Sequence, residues 1–135
     1  MNLTIHLSFN GQCQEAFRFY AECLRGEIVT MLAYGNSPMS AQVPPEFQEK
    51  IVHATLKALG ASIAGADALL NDYHPPAGFY VLLDLDEAPE AERIFAALAE
   101  KGEVRMPLQP TFWASRFGVL VDRFGIPWEI NCGLG

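Results

Sequence analysis

Two stretches of this chain carry the same pattern, and the repetition limits what it can fold into. Residues 15–28 read EAFRFYAECLRGEI and residues 90–104 read EAERIFAALAEKGEV. The match pairs Glu15 with Glu90, Ala16 with Ala91, Arg18 with Arg93, Tyr20 with Phe95, Gly26 with Gly102 and Glu27 with Glu103, with one extra residue between Ala96 and Gly102. Each copy reads as an amphipathic helix that passes through a glycine into a strand. A run of strand-like segments follows each copy, and Leu59-Gly60-Ala61 sits in its half as Phe124-Gly125-Ile126 sits in the other. The offset between these turns is shorter than that between the helices, because the Pro-containing stretch 35–48 lengthens the first half. The pattern predicts an α+β fold of two strand-helix-strand-strand-strand modules, one over about 1–70 and one over about 77–135. They form a single domain over 1–135, since ~60 residues alone bury too little surface to be comfortably stable.

Period places the elements. Leu3, Ile5, Leu7 and Phe9 alternate with Asn2, Thr4, His6 and Ser8, a half-buried strand with His6 on its polar face. Asn10-Gly11 makes the turn, and a helix from about Cys13 to Leu24 buries Ala16, Phe17, Tyr20 and Leu24, with Gly26 as the residue that ends it. Strands are expected over 27–34, 51–59 and 62–66, with a long loop to Gln48 carrying Pro38, Pro44 and Pro45; loops of that length are usually functional or mobile. The second half repeats the order, with strand 79–85, helix 88–101, and strands 103–106, 113–122 and 126–132. In the last strand Ile126, Trp128, Ile130 and Cys132 share one face, which leaves Glu129 and Asn131 on the other.

Composition narrows the function classes. Half of the 135 residues are apolar and 19% are charged, as in a soluble globular domain. No run approaches the ~18 apolar residues of a membrane span and the N-terminus lacks a basic secretory segment, so a cytoplasmic location is expected. The net charge of −7 would repel a phosphate backbone, which argues against nucleic acid. Cys13, Cys23 and Cys132 form no CxxC pair, and an odd count argues against a disulfide framework.

The segments FNGQCQEAFRFYAECLRGEI and MPLQPTFWASRFGVLVDRFGIPWEINC, together with the two-module order, resemble the vicinal oxygen chelate superfamily, which includes the glyoxalase and bleomycin-resistance proteins. Within it they are similar to the PhnB-like branch, often labelled 3-demethylubiquinone methyltransferase-like. The terminal DxFGxxWxxN pattern, at Asp122, Phe124, Gly125, Trp128 and Asn131, carries the resemblance most specifically. It implies two βαβββ modules whose curved mixed sheets form a cup around a small-molecule site, with the helices outside. It also implies a homodimer and, in metal-dependent members, four ligands from the first and last strands of each module. No glycine-rich strand-to-helix turn of a Rossmann-type nucleotide site is present, so methyl transfer is set aside.

The repeat tests the metal. His6 and Glu129 occupy ligand positions with side chains that suit Zn²⁺, Ni²⁺ or Fe²⁺, while the counterpart of Glu129 is Ala64 and that of His6 falls at 80–82. Two ligands are fewer than the three that catalytic zinc takes, so His6 and Glu129 read either as metal ligands or as polar groups lining the cup. No cofactor is therefore assigned. His53 reads as a general base or as a histidine satisfied by its neighbours. Arg116, placed by the repeat offset on the face of His53, pairs with Asp122, Glu129 or another carboxylate, or offers a fork to an anionic substrate. Tyr34, Tyr80, Phe112 and Trp113 are candidate flat walls, and Thr55 and Asn131 candidate polar contacts. Two functions stay open: a protein that binds a small polar or anionic molecule, and a metal-dependent lyase, isomerase or oxygenase-type enzyme using His6 and Glu129.

Overall fold

A computed structural model describes residues 1–69 and 71–133. The chain divides into two compact units, Met1–His74 and Pro75–Gly135, and the expected module boundary at residue 70 falls outside the described residues. Unit one runs β1 (Ile5–Phe9), α1 (Cys13–Leu24), β2 (Glu27–Ala33), β3 (Ile51–Ala58) and β4 (Ala61–Asp67). Unit two repeats the order with β5 (Val81–Leu85), α2 (Ala88–Ala99), β6 (Glu103–Gln109), β7 (Ala114–Val121) and β8 (Pro127–Gly133). Each unit is a four-stranded mixed sheet, ordered β1-β4-β3-β2 and β5-β8-β7-β6. In each, the first and last strands pair in parallel and the other pairs are antiparallel.

One helix covers one face of each sheet because its apolar stripe has nowhere else to go. In unit one Ala16, Phe17, Tyr20 and Leu24 are buried together with Leu7, Phe9 and Leu56. Phe9 meets Phe17 edge to face, with ring centroids 6.1 Å apart. In unit two Ile94 and Leu98 are buried together with Leu120, Trp128 and Ile130. Fully burying each such side chain stabilises the fold by about 1.5–3 kcal/mol.

The glycine that recurs after each helix serves a different purpose from the one expected. The left-handed residue that ends α1 is Arg25, at φ 52°, and not Gly26; Lys101, at φ 60°, is its counterpart after α2. Gly26 is required by close approach: a Cβ there would lie 2.6 Å from the Lys57 carbonyl oxygen and 2.8 Å from the Ala58 Cβ. A Cβ on Gly102 would meet the Val121 carbonyl oxygen in the same way. The repeat thus preserves a crossing of two backbones.

Strand β6 runs on to Gln109, past the expected end at Met106. It tolerates Pro107 because it is an edge strand with a register shift between Met106 and Gln109. The stretch 34–50 is built rather than slack. Three short 3₁₀ turns fill it, the Tyr34 and Gly35 amides donate to the Lys50 and Gln48 carbonyls at 2.8 Å, and the Gln48 amide spans it to the carbonyls of Ser40 and Val43.

Candidate functional site

Strand alternation leaves one face of each sheet uncovered by its helix, and the register shows what stands there. In unit one, His6 lies opposite Ala64, Ala64 opposite Thr55, and Thr55 opposite Thr30. One step along, His53 sits opposite Leu32, in the row of Ser8 and Ala66, which pair with each other. His6, His53 and Thr55 therefore share the open face, with His6 and His53 exposed. Among the described residues none of these three side chains has a hydrogen-bond partner. Lys57 stands at the end of the face, across from Glu27.

The same face in unit two has different chemistry. Leu82 lies opposite Glu129, Glu129 opposite Val119, and Val119 opposite Met106. The next row holds Asp84, Asn131, Phe117 and Gln109. Asn131 donates its Nδ2 to Asp84 Oδ1 at 2.9 Å, while its Oδ1 is buried without a partner among the described residues. Phe117 packs edge to face with Trp113 at 5.1 Å, and Trp113 in turn with Phe112 at 4.7 Å. Tyr80 and Leu82 remain 43% and 56% exposed on β5 and the turn before it. The result is an apolar, aromatic surface punctuated by Glu129, Asn131 and Asp84. Asp84 and Phe117 did not emerge from the sequence reading. The signal for Asp84 was an acid at an alternation position within VLLDL, which reads equally well as a solvated flank.

Two candidate residues are elsewhere. Arg116 is opposite Cys132, a buried core-face residue, and it donates to Glu92 of α2 at 3.1 Å. It stands on the helix side of the sheet, and Phe117 takes the place of His53. The repeat offset failed because five residues, 122–126, separate β7 from β8 against two, 59–60, between β3 and β4, and an odd difference in turn length moves a strand's side chains to the other face. Tyr34 is only 4% exposed. Its hydroxyl donates to the Asp67 carbonyl at 2.9 Å and its ring packs on Phe47 at 5.1 Å, so it supports the 34–50 segment.

Asp67 is the centre of that support. It is 1% exposed, and its carboxylate accepts the Cys13 amide at 2.9 Å and the Ile51 amide at 2.8 Å. Gln12 supplies no side-chain cap to α1, so the carboxylate at the end of β4 satisfies a first-turn N–H instead. Burial pushes the Cys13 thiol well above its ordinary 9.0, and the Asp67 charge adds to the shift. Burial likewise raises the Tyr34 hydroxyl from 10.0, followed by Asp67 and Cys13. The folded protein thus keeps protons that the unfolded chain releases. This stability is fully present below pH 9 and is lost as pH rises beyond it. We expect the urea midpoint to hold from pH 7 to about 8.5 and to fall above 9. Cys13, Cys23 and Cys132, all buried and outside any disulfide, should react with a thiol reagent only after unfolding. Fast labelling of Cys13 in native protein would contradict this.

The same rows bear on a metal site. The parallel pairs β1·β4 and β5·β8 present His6 beside Ala64 and Leu82 beside Glu129. Two of the four positions thus carry alkyl side chains, and no three His, Cys, Asp or Glu side chains gather as a metal centre among the described residues. The residues do not fit a four-ligand site.

Comparison with known proteins agrees with this architecture. Residues 1–131 match the family described as 3-demethylubiquinone-9 3-methyltransferase. The chain is 36% identical to protein YjdN of Escherichia coli (strain K12), over 97% of this chain and 95% of that protein. Among solved structures it is similar to protein PA1353 from Pseudomonas aeruginosa, at 41% identity and a TM-score of 0.87 over 98% of both chains. The PhnB protein from Bacillus cereus shares the fold at 23% identity, with a TM-score of 0.82 over 98% of this chain and all of that one.

Proposed function

The chain belongs to the 3-demethylubiquinone-9 3-methyltransferase family, with a glyoxalase-like, vicinal oxygen chelate fold, and we propose that it acts as a small-molecule-binding member rather than a methyltransferase. The open face of unit one carries this reading: two histidines and a threonine stand exposed or half-buried on a rigid sheet with no partner among the described residues. Such groups offer hydrogen-bond donors and acceptors to a small polar or anionic molecule. On the face of unit two, Tyr80, Phe117 and Trp113 supply flat apolar surface, and the orphan Asn131 oxygen supplies an acceptor. Neither strand-to-helix connection, Asn10-Gly11-Gln12 or Asp86-Glu87, has the glycine spacing of a nucleotide loop. The test is a titration of labelled protein with small anions, methylphosphonate and acetate among them, read at the His6 and His53 ring protons. Saturable shifts that weaken by about tenfold in His53→Ala are expected; rings that respond to no compound would sink the reading.

The alternative is a metal-dependent lyase, isomerase or oxygenase-type enzyme, favoured by the position of His6 and Glu129 on the central rows of the open faces. In that reading His53 is the base. After supplementation with zinc, nickel or iron we expect less than about 0.1 metal per chain. Stoichiometric metal that is lost in Glu129→Ala would establish the alternative instead. We also propose a cytoplasmic homodimer. Phe112, at 90% exposure beside Trp113 at 46%, leaves aromatic surface for a second copy, and three cysteines outside any disulfide suit a reducing compartment. Light scattering at the mass of one chain, or recovery from an oxidising compartment, would refute these points in turn.

A further inference from the structure

The 34–50 segment has no equivalent in unit two, where residues 110–113 alone connect the corresponding strands. A connection that long, folded on itself and cross-braced, is typical of functional loops. At its base lies a cavity of about 640 Å³, built wholly from unit one. Its apolar wall comes from Met31 and Ala33 of β2 and Ile51 of β3. Its polar wall comes from Gln14 on the first turn of α1 and from Asn36 and Glu49 on the two arms of the loop. Met31 lies opposite Ala54, a buried residue of the helix face, so the cavity is separate from the open face on which His6 and His53 stand.

The lining selects a class of ligand. No cation lines it: Lys50, next to Glu49 in the chain, donates its Nζ to the Gly11 carbonyl at 3.0 Å and stands outside the lining. Gln48, which also borders the cavity, has its amide hydrogens committed to Ser40 and Val43. What remains toward the cavity is one carboxylate and the carboxamides of Gln14 and Asn36, without hydrogen-bond partners among the described residues, beside an alkyl surface. A carboxylate with carboxamide oxygens beside it favours a donor-rich cation, and the net charge of −7 concentrates cations near this surface. The loop arms hold these groups in place. The Gly35 amide donates to the Gln48 carbonyl at 2.8 Å, and a Cβ on Gly35 would lie 2.8 Å from Gln48 Oε1, so the two arms touch.

We infer that this cavity is a second ligand site, one that takes a short aliphatic amine with its ammonium group at Glu49 and the two carboxamides and its alkyl chain on Met31, Ala33 and Ile51. Three probes of equal chain length separate the possibilities: butylammonium, 1-butanol and butyrate, each titrated into full-length labelled protein. Butylammonium should move the Met31 methyl and the Asn36 and Glu49 amides saturably, leaving the His6 and His53 rings unmoved. 1-Butanol should bind about tenfold more weakly, and butyrate should leave these signals unchanged. Glu49→Gln should weaken butylammonium by about tenfold, and Asn36→Ala by a smaller factor, in proteins whose spectra otherwise match the parent. The inference fails if butyrate or butanol binds as tightly as the amine, if the shifts are absent or lie elsewhere, or if Glu49→Gln binds like the parent.

Discussion

Replacing Asp122 by Ala should cost about 3–5 kcal/mol of stability and lower the melting temperature by about 10 °C or more. The carboxylate is 3% exposed. Its Oδ1 accepts the amides of Phe124 at 2.8 Å and Ile126 at 3.0 Å, and its Oδ2 accepts the Trp128 indole N–H at 2.8 Å. The turn around Gly125, at φ 87°, is held from inside by one side chain that also orients the largest fully buried ring of the unit. Alanine orphans three donors, and each orphaned buried donor costs about 1–3 kcal/mol, with less than full additivity. Asp122→Asn separates the contributions. Its oxygen still serves the two turn amides, but its NH₂ then faces the indole N–H, so a loss of about 1–3 kcal/mol is expected. Urea unfolding followed by tryptophan fluorescence measures both. An alanine variant within ~1 kcal/mol of the parent would show that the turn stands without the carboxylate.

That geometry explains why DxFGxxWxxN is such a specific run of residues. Asp122 accepts from its own turn and from the indole, Gly125 takes the positive φ, Trp128 fills the core, and Asn131 alone reaches the open face to meet Asp84. Most of the motif is scaffold, and one residue of it faces the candidate site. The α+β order and the two modules were legible because a helix period and a strand period are imposed locally by burial, and the duplication shows each twice. Side-chain facing on β7 was not legible. It depends on the parity of the turn length, in which the halves differ, so Arg116 was placed on the wrong face while Ala64 and Glu129, on the far side of the turn, were aligned correctly. Tyr34 was misread for a related reason. An aromatic next to a long loop looks like a ligand wall until the loop folds back and buries it.

Asp67→Ala should be the comparable lesion in unit one, at about 2–5 kcal/mol, with consequences reaching beyond the broken bonds. No local signal marks Asp67, which ends a strand of small residues, ASIAGAD. It joins three segments far apart in sequence: the first turn of α1 through Cys13, the start of β3 through Ile51, and the 34–50 segment through Tyr34. Removing the carboxylate leaves the Cys13 and Ile51 amides unpaired in a buried setting. Both adjoin the cavity, since Ile51 lines it and Gln14 follows Cys13. Asp67→Ala should therefore raise amide exchange at Cys13, Ile51 and Gly35 before global unfolding, and weaken butylammonium binding even where most of the protein is folded. Asp122→Ala, which acts in the other unit, should destabilise the chain without that local exchange. If both variants exchange alike across residues 34–51, Asp67 is one more buried acceptor and not the clamp that holds the loop.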